Sequence, residues 1–457
     1  MWIPRVEGRD GPIYRAIVDA LQEDVGQGHL KPGTQLPTQR ALADALSVTV
    51  STVTRAYGEA KRIGLIDGEV GRGTYVRQST RGEGREPGGR AEGTFVDLML
   101  NRPALGALEV HLREGLSRLL HDGELESCLD YPPLGGFERH RAAGVVWAAR
   151  VGVKADADSL VVCNGAQQAL LAALAAIAVR GGVVATEELN YPGIRRIAEF
   201  LGLSLVGLPL DADGLDPEAF AAACKKHNLS ALVCTPCNHN PTTATMPIER
   251  RRQILRTAQS RGVTIIENDV HGPLCGGRIP TLFALSEGAT VYVSSVSKAI
   301  APGLRIGYLV CSSPALSHRC AEIVHTSTWG APPLVADLVS HWIQSGTADR
   351  FVEHHLRCAE ERVLLARKLL GSSRMRSAIN CYHVWLELPP DVQTEDFAMN
   401  LRLRNVSTTP GTWFSVAGSP VKAIRLSLGS AKSIEELEIG LGRIAEALQG
   451  RSPSPLI

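Results

Sequence analysis

The sequence predicts an α/β protein in two parts: a winged helix-turn-helix, then a large lobe on a mainly parallel sheet with a small C-terminal α/β lobe. Three observations predict this. Residues 11–76 hold three helical periods followed by two short β-branched runs around glycines. From about Leu160, seven strand-like runs (LVVC, GVVAT, LSLVGL, ALVCT, VTIIEND, TVYVSS, IGYLVC) alternate with helical stretches, as in a sheet covered on both faces. Between the two, residues 78–92 lose all apolar periodicity and are rich in glycine, arginine and glutamate. The expected organisation is therefore a first domain over residues 1–77, a flexible charged linker over 78–92 and a second domain over 93–457.

Composition narrows the class. A chain of 457 residues with 44% hydrophobic and 21% charged residues has the make-up of a soluble globular protein of two or three units. The net charge of +1 gives no overall basic field, so any contact with nucleic acid has to be local. The ten cysteines are scattered, and the C-x-x-C of Cys234 and Cys237 has no second pair at zinc spacing, so no metal site is expected. No signal-peptide pattern opens the chain, and the apolar run from Ala169 to Val179 is too short to span a membrane. Reduced thiols in a cytoplasm are the economical reading.

The first element is a helix over residues 11–26, with Ile13, Ile17, Leu21 and Val25 at helical spacing. A turn at Leu30–Gly33 leads to a second helix over Gln39–Leu46, with Pro37 or Thr38 near its start. After a short Ser47-Val48-Thr49 link, a third helix runs from about Val50 to Gly64. It opens with Ser51, Thr52, Thr54 and Arg55, short polar and basic residues suited to base edges and phosphates in a major groove. Leu65–Gly68 and Val70–Val76 then read as two strands of a wing with Arg72 at its tip. From PGTQLPTQRALADALSVTVSTVTRAYGEAKRIGLIDGEVGRGTYV, this stretch resembles the GntR winged-helix family almost end to end. The resemblance implies double-stranded DNA as partner, with Arg40, Ser51, Thr52, Arg72 and Gly73 as contacts. The family often carries an arginine where this chain has Thr54, so phosphate contact there is weaker or passes to Arg55.

The stretch that organises the second domain is VYVSSVSKAIAPGLRIGY, residues 291–308. A buried strand up to about Ser294 is followed by Ser295 and Ser297, then Lys298, with Arg305 seven positions on. A desolvated ammonium loses its proton more easily and becomes a nucleophile for an aldehyde, while the hydroxyls and guanidinium offer donors to a dianionic phosphate. Pyridoxal 5′-phosphate is an aldehyde that carries a phosphate. Earlier, Leu160–Asn164 leads into Gly165-Ala166-Gln167, a strand-to-helix turn that either exposes backbone N–H groups to a phosphate or simply packs. Tyr191 follows the next strand and either stacks on a flat heterocycle or caps the core. Asn240 follows the strand ALVC, and its amide can donate to a phenolic oxygen. The run Ile265–His271 follows the next strand. Two further strands are expected over Tyr382–Leu388 and Ala423–Leu428, and Arg425 in the second needs an anion such as a substrate carboxylate. The tail RSPSPLI is expected to be disordered.

In this order and spacing, these motifs resemble the fold-type I aminotransferases over residues 93–450, and with the winged helix the whole chain resembles the MocR branch of the GntR regulators. The resemblance implies that Lys298 forms an internal aldimine with pyridoxal phosphate. It implies that Ser295, Ser297, Arg305 and the N–H groups of Ala166 and Gln167 hold the phosphate. Tyr191 stacks on the pyridine ring, Asn240 bonds its O3′, and Arg425 binds the carboxylate of an amino-acid ligand. Tyr131, in LDYPPLGG, is similar to the tyrosine that reaches the phosphate of the neighbouring subunit, which implies a head-to-tail homodimer. Each winged helix would then lie across the partner's aminotransferase domain.

One departure bears on activity. The family places an aspartate opposite the pyridine nitrogen and a tyrosine three residues on, near O3′; here those positions read Asn268 and His271. A carboxylate keeps the ring nitrogen protonated and lets the ring absorb electrons, and an amide supplies no such charge. Asp269 is adjacent, but neighbours in a strand point to opposite faces, so its use needs a one-residue shift. The leading reading is a regulator that senses a small amine or amino acid by an aldimine exchange at Lys298, with weak or no aminotransferase activity. A working aminotransferase with a DNA-binding appendage and a sensor of pyridoxal phosphate itself are the alternatives.

Overall fold

The structure, a computed structural model, describes residues 2–4, 6, 12–26, 29–30, 34–62, 66–69, 73–76, 94–105, 108–122 and 125–450. The expected linker over 78–92, the wing-tip Arg72 and the tail RSPSPLI lie outside the described residues. The chain divides into two compact units, Met1–Arg90 and Ala91–Ile457.

In the first unit, helices α1 (Ile13–Gly26), α2 (Gln39–Leu46) and α3 (Val50–Arg62) pack with strands β1 (Gln35–Leu36), β2 (Ile66–Glu69) and β3 (Gly73–Val76). The strands form an antiparallel sheet in the order β1-β3-β2. Thr38 caps α2, its hydroxyl accepting from the Ala41 N–H at 3.2 Å, which satisfies a donor that the first helical turn leaves free. Ser47 ends the helix with φ 53°, and that left-handed residue turns the chain into α3. Ile17, Leu21, Leu42, Val53, Tyr57, Ile66 and Val76 are buried together, so helical and strand periods meet in one core. Tyr57 donates its hydroxyl to the Pro37 carbonyl at 2.9 Å and ties α3 to the approach of α2.

The second unit is built on seven strands: β4 (Leu160–Cys163), β5 (Val183–Glu187), β6 (Ser204–Leu208), β7 (Leu229–Cys234), β8 (Thr264–Asn268), β9 (Thr290–Ser295) and β10 (Gly307–Cys311). They are the seven runs the sequence predicts, in the sheet order β4-β10-β9-β8-β7-β5-β6. All neighbours from β9 through β6 are parallel, and β10 alone runs antiparallel, between β9 and β4. Side chains alternate between the two faces. Val161, Val291, Val293 and Leu309 pack on one face with Leu170 and Ile194; Val162, Tyr292, Tyr308 and Val310 pack on the other with Trp147 and Phe351. Each large apolar side chain so buried contributes roughly 1.5–3 kcal/mol.

The small lobe carries β11 (Met375–Arg376), β12 (His383–Glu387), β13 (Thr409–Pro410) and β14 (Ala423–Ser427), antiparallel in the order β11-β12-β14-β13. The sequence predicts β12 and β14 but not β11 or β13, which at two residues each are too short to show a period. Val96–Asp97 pairs in parallel with Val406–Ser407, which fixes the segment entering this unit onto the small lobe. Among the described residues, no helix is long and apolar enough to cross a membrane.

Candidate cofactor and effector site

Because β4, β5, β7, β8 and β9 run the same way, the loops that follow them emerge at one edge of the sheet. After β4, Gly165 caps helix α4 (Ala166–Ile177) with φ 80°. A Cβ at Gly165 would lie 2.5 Å from Arg305 Nη2, and one at Gly307 would lie 2.9 Å from the Ala166 nitrogen. The glycines therefore let a guanidinium, a strand and a helix start crowd together. Arg305 donates to the Asn164 carbonyl at 3.3 Å. Ser295 donates to the Ile306 carbonyl at 2.8 Å, so in its 2.9 Å contact with Ser297 the Ser297 hydroxyl is the donor. The helix start and the guanidinium bring donors suited to a dianion to this corner; the two serine hydroxyls, whose protons go to the Ile306 carbonyl and to Ser295 Oγ here, would have to rotate to join them.

Lys298 is half-buried just past β9, and its Nζ donates to the Asn101 carbonyl. Burial, then Arg425 and Arg305, bring its pKa down to about 8, which increases the fraction of free amine near neutrality. Arg425 is buried in β14, its guanidinium 5.0 Å above the Phe414 ring. It donates to the Met99 carbonyl, to Thr409 Oγ1 at 3.2 Å and to Asn240 Oδ1 at 3.0 Å. Since a guanidinium only donates, Asn240 must present its oxygen to Arg425, and its NH₂ is left for another acceptor. His271 lies among Lys298, His239 and Arg425; burial first, then those groups, push its pKa down to about 3.

Tyr191, 40% exposed, begins the helix Pro192–Leu201. Its N–H donates to Asn190 Oδ1 at 2.6 Å, and the Asn190 amide donates to Glu187 and to Thr186, each at 2.6 Å. Glu187 also accepts from the Thr235 N–H at 2.8 Å, and burial raises its pKa to about 7. A Cβ at Gly193 would fall 2.2 Å from Tyr191 Cε1 and 2.5 Å from Gln167 Oε1, so ring and amide share one corner.

Asn268 is buried at the end of β8, with Nδ2 3.4 Å from Thr235 Oγ1 and Oδ1 without a partner among the described residues. Asn268 closes β8, paired with Val293 of β9. The Asp269 carboxylate accepts from the Tyr292 hydroxyl at 3.2 Å and lies against Gly272, where a Cβ would come within 1.9 Å of it. Burial, with Cys237 and Glu267 nearby, holds its pKa well above the usual carboxylate range. Tyr131 stands apart, 71% exposed, its ring tilted at 43° against Trp329 with the centroids 4.5 Å apart.

Several residues at the site were not foreseen. Met99 and Asn101 reach Arg425 and Lys298 through backbone carbonyls, and no side-chain motif announces such contacts. Glu187, Asn190 and Thr235 form the support of Tyr191; an acid between a β-branched strand and a Pro turn was the available signal. His239 and His383 flank His271, and neither lies in a sequence pattern of its own.

In the first unit, Arg40 and Ser51 are exposed and Thr52 half-buried. Thr49 Oγ1 lies 2.9 Å from Ser51 Oγ and 2.8 Å from Thr52 Oγ1, so the start of α3 carries a connected set of hydroxyls. Arg55 lies 4.1 Å over the Tyr14 ring, which engages part of its guanidinium. Thr54 meets Gln39 Oε1 at 2.7 Å, joining α2 to α3 instead of reaching outward as an arginine would. Gly73, with φ 105°, opens β3.

The residues present fit pyridoxal phosphate. Asn268 Oδ1, Gln167 Oε1, Arg425 Nε and both ring nitrogens of His271 are buried without partners among the described residues, a set of polar atoms that a polar ligand there would satisfy. The aminotransferase class I and II family matches residues 95–444, and the family of bacterial regulatory proteins of the gntR type matches residues 13–76. The HTH-type transcriptional regulator YdeF of Bacillus subtilis (strain 168) is 28% identical over 441 residues, covering 96% of this chain and 95% of its own. The HTH-type transcriptional regulator TauR of Rhodobacter capsulatus is 26% identical over 481 residues, covering 97% and 98%. In structure, LysN, the α-aminoadipate aminotransferase of Thermus thermophilus in complex with N-(5′-phosphopyridoxyl)-L-leucine, superposes with a TM-score of 0.70 at 24% identity. That match covers 78% of this chain and 92% of LysN. The chain belongs to the aminotransferase class I and II family, with pyridoxal phosphate as its cofactor, and its GntR-type N-terminal domain gives it the MocR architecture of transcriptional regulators.

Proposed function

We propose that the chain is a DNA-binding transcriptional regulator that senses a small amine or amino acid at Lys298. The bound cofactor supplies an aldehyde carbon for which Lys298 and an incoming amine compete. The residues divide the remaining work. Ser295, Ser297, Arg305 and the N–H groups of Ala166 and Gln167 hold the phosphate, and Tyr191 covers the ring. Asn240, with its oxygen turned to Arg425, gives its NH₂ to the phenolic oxygen, where His271 also lies. Arg425 takes the ligand's carboxylate. On this reading Tyr131, exposed on Trp329, serves the phosphate of a partner subunit in a head-to-tail homodimer. The winged helix binds operator DNA in the cytoplasm through Arg40, Ser51 and Thr52, with Arg72 and Gly73 as further contacts and Arg55 in support.

The observation that carries a sensor rather than a catalyst is Asn268. It is buried and uncharged, and the neighbouring Asp269 is engaged with Tyr292. Without a carboxylate at the ring nitrogen, ligand exchange at Lys298 is kept while the later proton transfers of transamination lose their electron sink. The test is to load the apo protein with pyridoxal phosphate and add amino acids singly. The visible absorption, keto-acid formation and affinity for a duplex selected from a randomised DNA library are followed together. A sensor changes its absorption and DNA affinity with little keto acid formed. Fast keto-acid formation identifies a working aminotransferase, and a DNA response to pyridoxal phosphate alone identifies a sensor of the cofactor.

A further inference from the structure

Three histidines from separate parts of the chain meet beside Lys298: His239 after β7, His271 after β8 and His383 in β12. The rings of His271 and His383 are 5.6 Å apart, with Tyr382 6.1 Å from His271. All three are buried. Among the described residues no cluster is placed to hold a metal ion, so the imidazoles have to be explained as hydrogen-bonding groups.

Their protonation can be worked out. His383 Nε2 lies 3.3 Å from the His239 carbonyl, which only accepts, so Nε2 carries the proton. Its Nδ1 then accepts, with the Cys381 thiol at 3.1 Å and the Asn101 amide at 3.4 Å as the donors in reach, and His383 is neutral. His239 Nδ1 contacts Thr242 Oγ1 at 2.8 Å, and the Leu189 backbone is also near this ring. His271 is different, since neither nitrogen has a partner among the described residues. The charged groups that face it are Lys298 and Arg425, both cationic, and the nearest acid in sequence, Asp269, is turned to Tyr292. Burial and those cations keep the His271 ring neutral. A neutral imidazole has one N–H and one lone pair. With the N–H given to the cofactor's phenolic oxygen, which accepts, the other nitrogen offers a lone pair and needs a donor.

We propose that His271 selects an effector whose side chain ends in an uncharged hydrogen-bond donor, a hydroxyl or a carboxamide. The inference rests on the amino-acid-sensing reading above and names the ligand class for it. A carboxylate side chain has no proton to give to the lone pair, and Arg425 is already committed to the ligand's first carboxylate. A cationic side chain meets the cations Lys298 and Arg425, which act on His271. An apolar one leaves a buried nitrogen unpartnered, which costs affinity. His383 abuts the ring of His271 and, through the His239 carbonyl, joins it to the loop after β7; it is a positioning residue.

The test uses the full-length holoprotein and near-isosteric amino acids, with dissociation constants read from the visible absorption and by calorimetry. The pairs are threonine with valine, asparagine with aspartate, and glutamine with glutamate, with ornithine as the cation. We expect threonine, or the amide of the fitting length, to bind at least tenfold more tightly than its partner, and ornithine more weakly than either amide. In His271→Phe that ratio should collapse to near one; a ratio is read because weaker cofactor binding cancels from it. Equal binding of threonine and valine together with equal binding of the acid and amide pairs, or tighter binding of the acids, overturns the donor-selective subsite while leaving the effector reading intact. An unchanged ratio in His271→Phe removes His271 from the role. Silence of every amino acid on cofactor-loaded protein overturns the effector reading and this inference with it.

Discussion

Around Gly165, Ser297 and Arg305 the structure gathers a cation, hydroxyls and a helix start, the proposed phosphate end, whereas Asn268 and His271, at the proposed ring end, are themselves uncharged. The two ends answer different needs. A phosphate is held alike in every state of the ligand, so donors there contribute affinity without favouring any one step. The ring nitrogen matters when electrons flow into the ring, so a charge there favours reaction more than binding. A site strong at the first end and uncharged at the second is suited to holding a cofactor and exchanging its amine, and poorly suited to turning the amine over.

The largest expected effect comes from removing the attachment point. In Lys298→Ala the visible band of the covalently bound cofactor should vanish, because no other lysine among the described residues is placed to replace Nζ. A retained band would relocate the attachment. Next is Gly165→Ala, aimed at the proposed phosphate end. The new Cβ would meet Arg305 Nη2 at 2.5 Å in a backbone at φ 80°, and strain of this kind costs about 1–3 kcal/mol. Cofactor affinity by absorption titration should therefore fall roughly tenfold to a hundredfold, and unchanged affinity would mean that the cradle is not where the phosphate sits. In the other unit, Ser51→Ala with Thr52→Ala removes two hydroxyls from the start of α3. Binding to the selected duplex should weaken by about 1–3 kcal/mol for each base-specific hydrogen bond they made, with cofactor affinity as before. An undisturbed gel shift would place the recognition surface elsewhere. The smallest effect among these is on pH. Attachment needs the free amine, and Lys298 titrates at about 8. Below that pH the stopped-flow attachment rate should rise roughly tenfold per unit, and above it the rate should level off. A rise continuing to about pH 10 would mean that the Lys298 amine keeps an ordinary lysine pKa.

How far the molecule was legible in its sequence follows the same divide between local and distant contacts. The seven strands of the large sheet, the three N-terminal helices and the Ser-x-Ser-Lys turn were readable because each is a local pattern: β-branched alternation, helical spacing, or a motif within a dozen residues. The antiparallel sense of β10 was not readable, because strand direction depends on the path of the chain. The Met99 and Asn101 carbonyls were invisible for a related reason: they arrive from far back in the chain, and any residue type supplies the same atom. The meeting of His239, His271 and His383 depends on the small lobe closing over the sheet edge. The sequence singled out His271 through the family motif, whereas His239 and His383 are easily taken for ordinary core residues.

The measurement that bears most directly on the sensor reading is the single-turnover rate of half-transamination in Asn268→Asp against the unchanged protein, both fully loaded with pyridoxal phosphate and given the same amino acid. If the missing charge limits the reaction, the aspartate should speed it. Each unit gained in the ring-nitrogen pKa corresponds to about 1.4 kcal/mol, so the rate should rise up to about tenfold per unit while cofactor affinity changes far less. A rate no faster in Asn268→Asp would show that the ring nitrogen is not what holds this site back, and fast turnover by the unchanged protein would contradict the sensor reading altogether.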